Sequence, residues 1–184
     1  MEFIRQDIPD VILIKPSIHH DGRGYFSEIF RQDLFEDFIG YSVNFIQDNE
    51  SKSTKGVLRG LHYQLPPFSQ AKLVRVIQGS VLDVAVDIRR SSSTYGQYVA
   101  VELTSDNMNQ LFIPHGFAHG FVVLSNHATF TYKVDNYYAP DFDRGIAFND
   151  KEINVDWLLP LEKLKLSNKD MHHPNLSHAN DLFE

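Results

Sequence analysis

Lys72-Leu73-Val74-Arg75-Val76-Ile77-Gln78-Gly79-Ser80-Val81-Leu82-Asp83-Val84-Ala85-Val86-Asp87-Ile88 reads as two strands rich in β-branched residues around a tight turn. Gln78-Gly79-Ser80 supplies the turn and predicts a hairpin between Lys72–Ile77 and Val81–Ile88. In the first of these strands Lys72, Val74 and Val76 share one face, and Leu73, Arg75 and Ile77 the other. Upstream, Gly56-Val57-Leu58-Arg59-Gly60-Leu61-His62 is a third strand, set off by Leu65-Pro66-Pro67-Phe68. Further strands are predicted at 11–15, 99–103, 111–113 and 128–134. Another runs from Tyr25 to Phe30 after the turn Asp21-Gly22-Arg23-Gly24.

Only residues 32–39, with Leu34, Phe35, Phe38 and Ile39 spaced i, i+1, i+4, i+5, read as a helix. Residues 43–47 are extended and lead into a polar run with turn chemistry, Asp48-Asn49-Glu50-Ser51. One or two helical turns are expected within 159–166, and an irregular tail from about residue 172. Many short strands punctuated by Gly and Pro predict an all-β fold, a β-sandwich or small barrel with a few short peripheral helices. The length of 184 residues suits a single domain over 1–184 with a sizeable core, and no repeat or linker divides it.

Composition narrows the chemistry. Cysteine is absent, which removes disulfides, thiolate catalysis and Cys-ligated metals. A net charge of −7 argues against nucleic acid and anionic membranes as partners, so an anionic ligand would need a few placed cations. Fourteen Phe and eight Tyr favour an aromatic-lined β interior. The charged first ten residues do not read as a secretory leader and no run has the length of a membrane span, so a cytoplasmic location is expected.

Four side chains stand out against this background. His62 fits a general base, and Arg59, three residues before it, fits an anion clamp. Read alone, each also fits a core imidazole and a surface charge. A regular strand would aim the two at opposite faces, so a shared site predicts a bulge at Gly60. Lys72 lies on an apolar face, where it either snorkels or acts. Tyr132 alternates with Ala128, Phe130 and Val134, and its hydroxyl needs a partner. Phe26 and Glu28 share a strand face, and Gln47 and Asn49 project together as amide groups.

Pro114-x-Gly116-x-x-His119 resembles the second motif of the cupin jelly rolls. The first cupin motif, His-x-His followed by Glu, is reduced here to His62-Tyr63-Gln64, which leaves too few ligands for a metal site. Five ordered motifs together resemble the dTDP-4-dehydrorhamnose 3,5-epimerase family: Asp21-Gly22-Arg23-Gly24-Tyr25-Phe26, Gln47-Asp48-Asn49-Glu50-Ser51, Gly56 to His62, Lys72 to Val76, and Ile113-Pro114-His115-Gly116-Phe117-Ala118-His119-Gly120-Phe121. The likeness covers roughly residues 3 to 170.

The resemblance implies a metal-free, cofactor-free cupin-type jelly roll that epimerises a 4-keto-6-deoxy sugar carried on dTDP. It implies His62 as base, Asp170 as its orienting carboxylate, Tyr132 as acid on the opposite face of the sugar, and Lys72 beside the C4 oxygen. Arg23, Phe26, Glu28, Gln47, Asn49, Arg59, His119 and Lys169 fall at nucleotide- or substrate-contacting positions, and Tyr138 at a thymine-stacking one. Asp143 stands where the family usually has Glu. A homodimer is implied, with an N-terminal strand helping to complete the neighbouring site. A single-carbon epimerase of a related nucleotide sugar is the nearest alternative. A metal-dependent cupin enzyme is a more distant one.

Overall fold

The computed structural model describes residues 1–184. Its strands are β1 (Glu2–Arg5), β2 (Ile12–Lys15), β3 (Ile18–Asp21), β4 (Gly24–Ser27), β5 (Gln47–Thr54), β6 (Leu58–Gln64), β7 (Lys72–Gln78), β8 (Ser80–Asp87), β9 (Tyr98–Thr104), β10 (Gln110–Ile113), β11 (Phe117–Val123), β12 (His127–Val134) and β13 (Asp143–Gly145). The one α-helix, α1 (Gln32–Ile39), matches the predicted span and ends on Gly40 in the left-handed region. Two antiparallel sheets form, in the orders β1-β2-β10-β7-β12-β5 and β13-β6-β11-β8-β9, and β3–β4 stands apart as a two-stranded hairpin. This is the expected jelly-roll sandwich of the cupin type.

The predicted 72–88 hairpin does not form. Strand β7 pairs with β10 and β12, whereas β8 pairs with β11 and β9. The turn at Gly79 (φ +81°) carries the chain from one sheet to the other. The reason lies in the strands themselves. Residues 81–87 of β8 are buried on both faces, with Val81 and Ala85 in the layer between the sheets and Leu82, Val84 and Val86 outside it. Such a strand needs neighbours on both edges and cover on both faces.

Three further expectations change. Asp48–Ser51 is not a turn but part of β5, an edge strand on β12. Its inward residues Gln47, Asn49, Ser51 and Ser53 are polar, so hydrophobic alternation could not reveal it. The strand beginning at Tyr25 ends at Ser27, leaving Phe26 71% exposed. Strands β1, β3 and β13 were not foreseen, each being too short to show a period.

Three apolar layers hold the fold. Between the sheets lie Val74, Val76, Phe121 and Phe130 with their neighbours. On the outer face of the first sheet, Phe35 of α1 packs on Leu73 and Phe112. On the outer face of the second, the chain beyond β13 supplies Ile146, Trp157, Leu176 and Ala179. The tail is irregular, as expected, but docked: Leu176 and Ala179 are buried and Phe183 bridges Arg89. Each fully buried large side chain contributes about 1.5–3 kcal/mol, so this coil helps hold the sandwich closed. Trp157 also donates from Nε1 to the Phe148 carbonyl at 2.8 Å.

Candidate active site

The sandwich leaves a cavity of about 390 Å³ between its sheets. One wall comes from β6 and β11, with Arg59, His62, His119 and Phe121. The facing wall comes from β5, β7 and β12, with Asn49, Ser51, Lys72, Phe130 and Tyr132. Ser167, Lys169 and Asp170 close the rim. Phe130 stacks on Phe121 at 4.1 Å across the gap and forms the apolar floor.

The bulge predicted at Gly60 is present. His119 pairs with His62 and Phe121 with Arg59, so the register shifts between them. Leu58 and Leu61 consequently both face the outer apolar layer, and Arg59 and His62 both reach the cavity. Glycine is required there. Its φ is +130°, and a Cβ would fall 2.5 Å from the Gly120 Cα.

His62 Nε2 lies 2.5 Å from Oδ1 of Asp170, which is buried. The Ser167 hydroxyl donates to Asp170 Oδ2 at 2.8 Å, and the Asp170 N–H donates back to Ser167 Oγ at 3.1 Å. Burial acts to raise the Asp170 carboxyl, but the His173 and His62 imidazoles and the Ser167 hydroxyl overcome it and hold the group well below the usual carboxylate range. The carboxylate therefore fixes the His62 proton on Nε2 and leaves the Nδ1 lone pair as the basic one.

Lys72 donates from Nζ to the His62 carbonyl at 3.4 Å. Burial brings its ammonium down to about 8, against the pull of Asp143 and Asp83. Across the cavity, burial pushes the Tyr132 phenol up, partly offset by Arg59, so it is protonated at neutral pH. An unforeseen second imidazole–carboxylate pair backs the site: His119 Nε2 lies 2.9 Å from Oδ2 of the fully buried Asp83. Burial keeps the His119 imidazolium unfavourable, although Asp83 opposes this. An acid among the apolar residues of β8 was the signal in the sequence.

The remaining candidates divide. Gln47 Nε2 donates to Asn49 Oδ1 at 2.9 Å, and Gln47 Oε1 accepts from the Tyr138 N–H at 3.3 Å. The Tyr138 hydroxyl donates to Asp143 at 3.0 Å, and Lys169 forms an ion pair with the same carboxylate. These make a second polar cluster beside the cavity. Arg23, Phe26 and Glu28 are not among the cavity-lining residues. Arg23 is on the exposed β3–β4 turn paired with Asp21, and Glu28 follows the hairpin.

His62, Asp170 and His173 offer three donor atoms within 4.8 Å of one another. Two of those atoms are already engaged with each other. The cupin-motif histidine, His119, is turned to Asp83 instead of toward that cluster.

An imidazole–carboxylate pair on one wall of a jelly roll, facing a phenol on the other, defines an acid–base enzyme of the cupin type. Residues 5–178 match the dTDP-4-dehydrorhamnose 3,5-epimerase family. The enzyme of that name from Shigella flexneri is 54% identical over 172 residues, covering 94% of each chain. The crystal structure of the Elizabethkingia anophelis enzyme superposes with a TM-score of 0.95 at 43% identity, over 98% of both chains. That of the Legionella pneumophila 3,5-epimerase, in complex with dTDP-4-keto-L-rhamnose, gives 0.95 at 44% identity over 100% of this chain and 97% of the other. The chain belongs to the dTDP-4-dehydrorhamnose 3,5-epimerase family.

Proposed function

We propose that this protein converts dTDP-4-dehydro-6-deoxy-D-glucose to dTDP-4-dehydro-L-rhamnose, with the two walls of the cavity dividing the proton transfers at C3 and C5. One observation carries the reading: His62 with Asp170, and Tyr132, come from different sheets and line the same cavity. His62 Nδ1 takes a proton α to the C4 ketone, and Asp170 stabilises the imidazolium formed. Lys72 meets the charge that develops on the C4 oxygen, in a site where a fixed cation acts strongly. Tyr132 returns a proton to the opposite face, which inverts the carbon. His62 has then gained one proton and Tyr132 lost one, and exchange with water resets both before the second carbon reacts. No step in this scheme calls on a metal or an organic cofactor.

The nucleotide reading extends from the same cavity. Arg59 meets the diphosphate, His119, Asn49 and Lys169 contact the substrate, and the Tyr138–Asp143 cluster with Gln47 receives the base. Arg23, Phe26 and Glu28 act in trans, in a homodimer whose partner inserts its β3–β4 hairpin. Supporting this are the exposure of Phe26 and a groove of about 380 Å³ on the outer face of the first sheet, lined by Ile29, Phe30, Asp48 and Arg75. The Arg75 Nε there is buried without a partner. The enzyme works as one domain in the cytoplasm, in keeping with a cysteine-free chain and a nucleotide-linked substrate. No helix is long and apolar enough to cross a membrane.

Proton NMR in D₂O with the 4-keto-6-deoxyglucose nucleotide tests the reaction. Deuterium and inversion at both carbons are expected. Inversion at one carbon would assign a mono-epimerase, and no exchange at either would reject the reading.

A further inference from the structure

We propose that His173 is a positioning residue for the base, holding the Asp170–His62 pair in its working orientation from behind. The proposal rests on His62 and Asp170 being that base pair. Asp170 Oδ2 is occupied by Ser167 and Oδ1 by His62, which leaves Oδ1 one free lone pair. His173 Nε2 faces that oxygen at 3.7 Å, longer than a hydrogen bond. The side chain is only 10% exposed, and Nε2 is buried with no hydrogen-bond partner of its own. A buried ring nitrogen left unpaired is unfavourable, so its place beside a carboxylate is explained by attraction to that charge.

The surroundings are built to admit the ring. Gly145 is the residue that pairs with His62 across β13 and β6. A Cβ at position 145 would lie 2.4 Å from His173 Nε2, so a side chain there would expel the imidazole. The His173 ring meets the His62 ring edge-on, with centroids 5.5 Å apart at 75°. Both flanks of the residue are tied down. The Ala147 N–H donates to the Pro174 carbonyl at 2.8 Å, and the turn before His173 is held by the Ser167–Asp170 bonds. His173 thus touches both members of the pair without lining the cavity, and it acts only through them.

His173→Phe keeps the ring and its edge-on contact but removes Nε2, and His173→Gln restores a donor of similar reach. The Phe variant should lower kcat between about tenfold and a hundredfold with KM little changed, because the base is misaimed while the binding groups remain. In the same variant the downfield proton resonance of the His62–Asp170 hydrogen bond should move, and the Gln variant should restore most of both. Wild-type kcat and an unmoved resonance in the Phe variant would overturn the proposal and leave a packing role. So would a Gln variant as impaired as the Phe variant while equally folded by thermal melting. His62→Asn serves as the control: turnover retained there would refute the base assignment itself, whatever His173 does.

Discussion

Replacing Lys72 with Met should make the protein more stable and less active at once. The ammonium sits between the sheets, where burial lowers it from 10.5 to about 8. Keeping it charged in the folded protein therefore costs about 3 kcal/mol at neutral pH. Water in the open cavity screens part of this, which leaves about 1–2 kcal/mol. Met has similar length and no charge, so the variant should gain that amount at pH 7, or roughly 2–8 °C in Tm. The sign follows from linkage. The folded amine releases its proton more readily than the unfolded one, so the penalty is complete below about pH 8, shrinks as pH rises toward 10.5 and vanishes beyond it. Urea unfolding of both proteins at pH 7 and near pH 10.5 measures the difference. Turnover should fall by about 10²–10³-fold with loss of the enolate's counter-charge. The wild-type rate should fall above about pH 8 as this amine loses its proton, and that fall should be absent from the variant's residual activity. A Met variant no more stable at pH 7, or with an advantage that does not change with pH, would refute the reasoning.

Gly60→Ala should destabilise the protein by about 2–4 kcal/mol, since φ +130° and the 2.5 Å approach to Gly120 must both yield. Chemical denaturation measures that loss, and activity should fall with it as Arg59 and His62 no longer share the cavity. Asp170→Asn should cut kcat by roughly 10⁴-fold with KM preserved, because the amide permits the wrong His62 tautomer; steady-state kinetics with a folded variant checks this. Mixing inactive Arg23→Ala and His62→Ala dimers under exchange should recover about a quarter of wild-type activity if the hairpin acts in trans, since half the dimers then carry one intact site. No recovery would place Arg23 with its own chain's cavity.

The helix over 32–39 was legible because its apolar spacing has no competing strand reading, and the structure reproduces its span. The bulge at Gly60 was legible for another reason: two functional side chains three residues apart had to meet. Strand β5 was illegible because function replaced its apolar face. Gln47, Asn49, Ser51 and Ser53 point inward as polar groups, two of them, Asn49 and Ser51, lining the cavity, and together they erase the period. The 72–88 hairpin failed because turn chemistry at Gly79 is the same whether the chain returns along one sheet or crosses to the other. Partner choice was decided by burial on both faces of β8, which local pattern does not report.

The central residues His62, Lys72, Tyr132 and Asp170 meet in one cavity although 108 positions separate the first from the last. Their residue types and the family motifs carried that reading. Asp83 and His173 were missed, since each lies behind a cavity-lining residue, His119 and Asp170 respectively, and has no motif of its own. Arg23, Phe26 and Glu28 were legible as candidates from the family motif, yet they lie outside the cavity lining of the chain.

The most direct test of the two-wall account compares deuterium wash-in with inversion in the Tyr132→Phe variant, by NMR in D₂O with the 4-keto-6-deoxyglucose nucleotide. With His62 and Lys72 intact, deuterium should still enter from the His62 side while inversion falls by about 10²–10⁴-fold. Equal loss of wash-in and inversion would contradict the account and return Tyr132 to a packing or binding role.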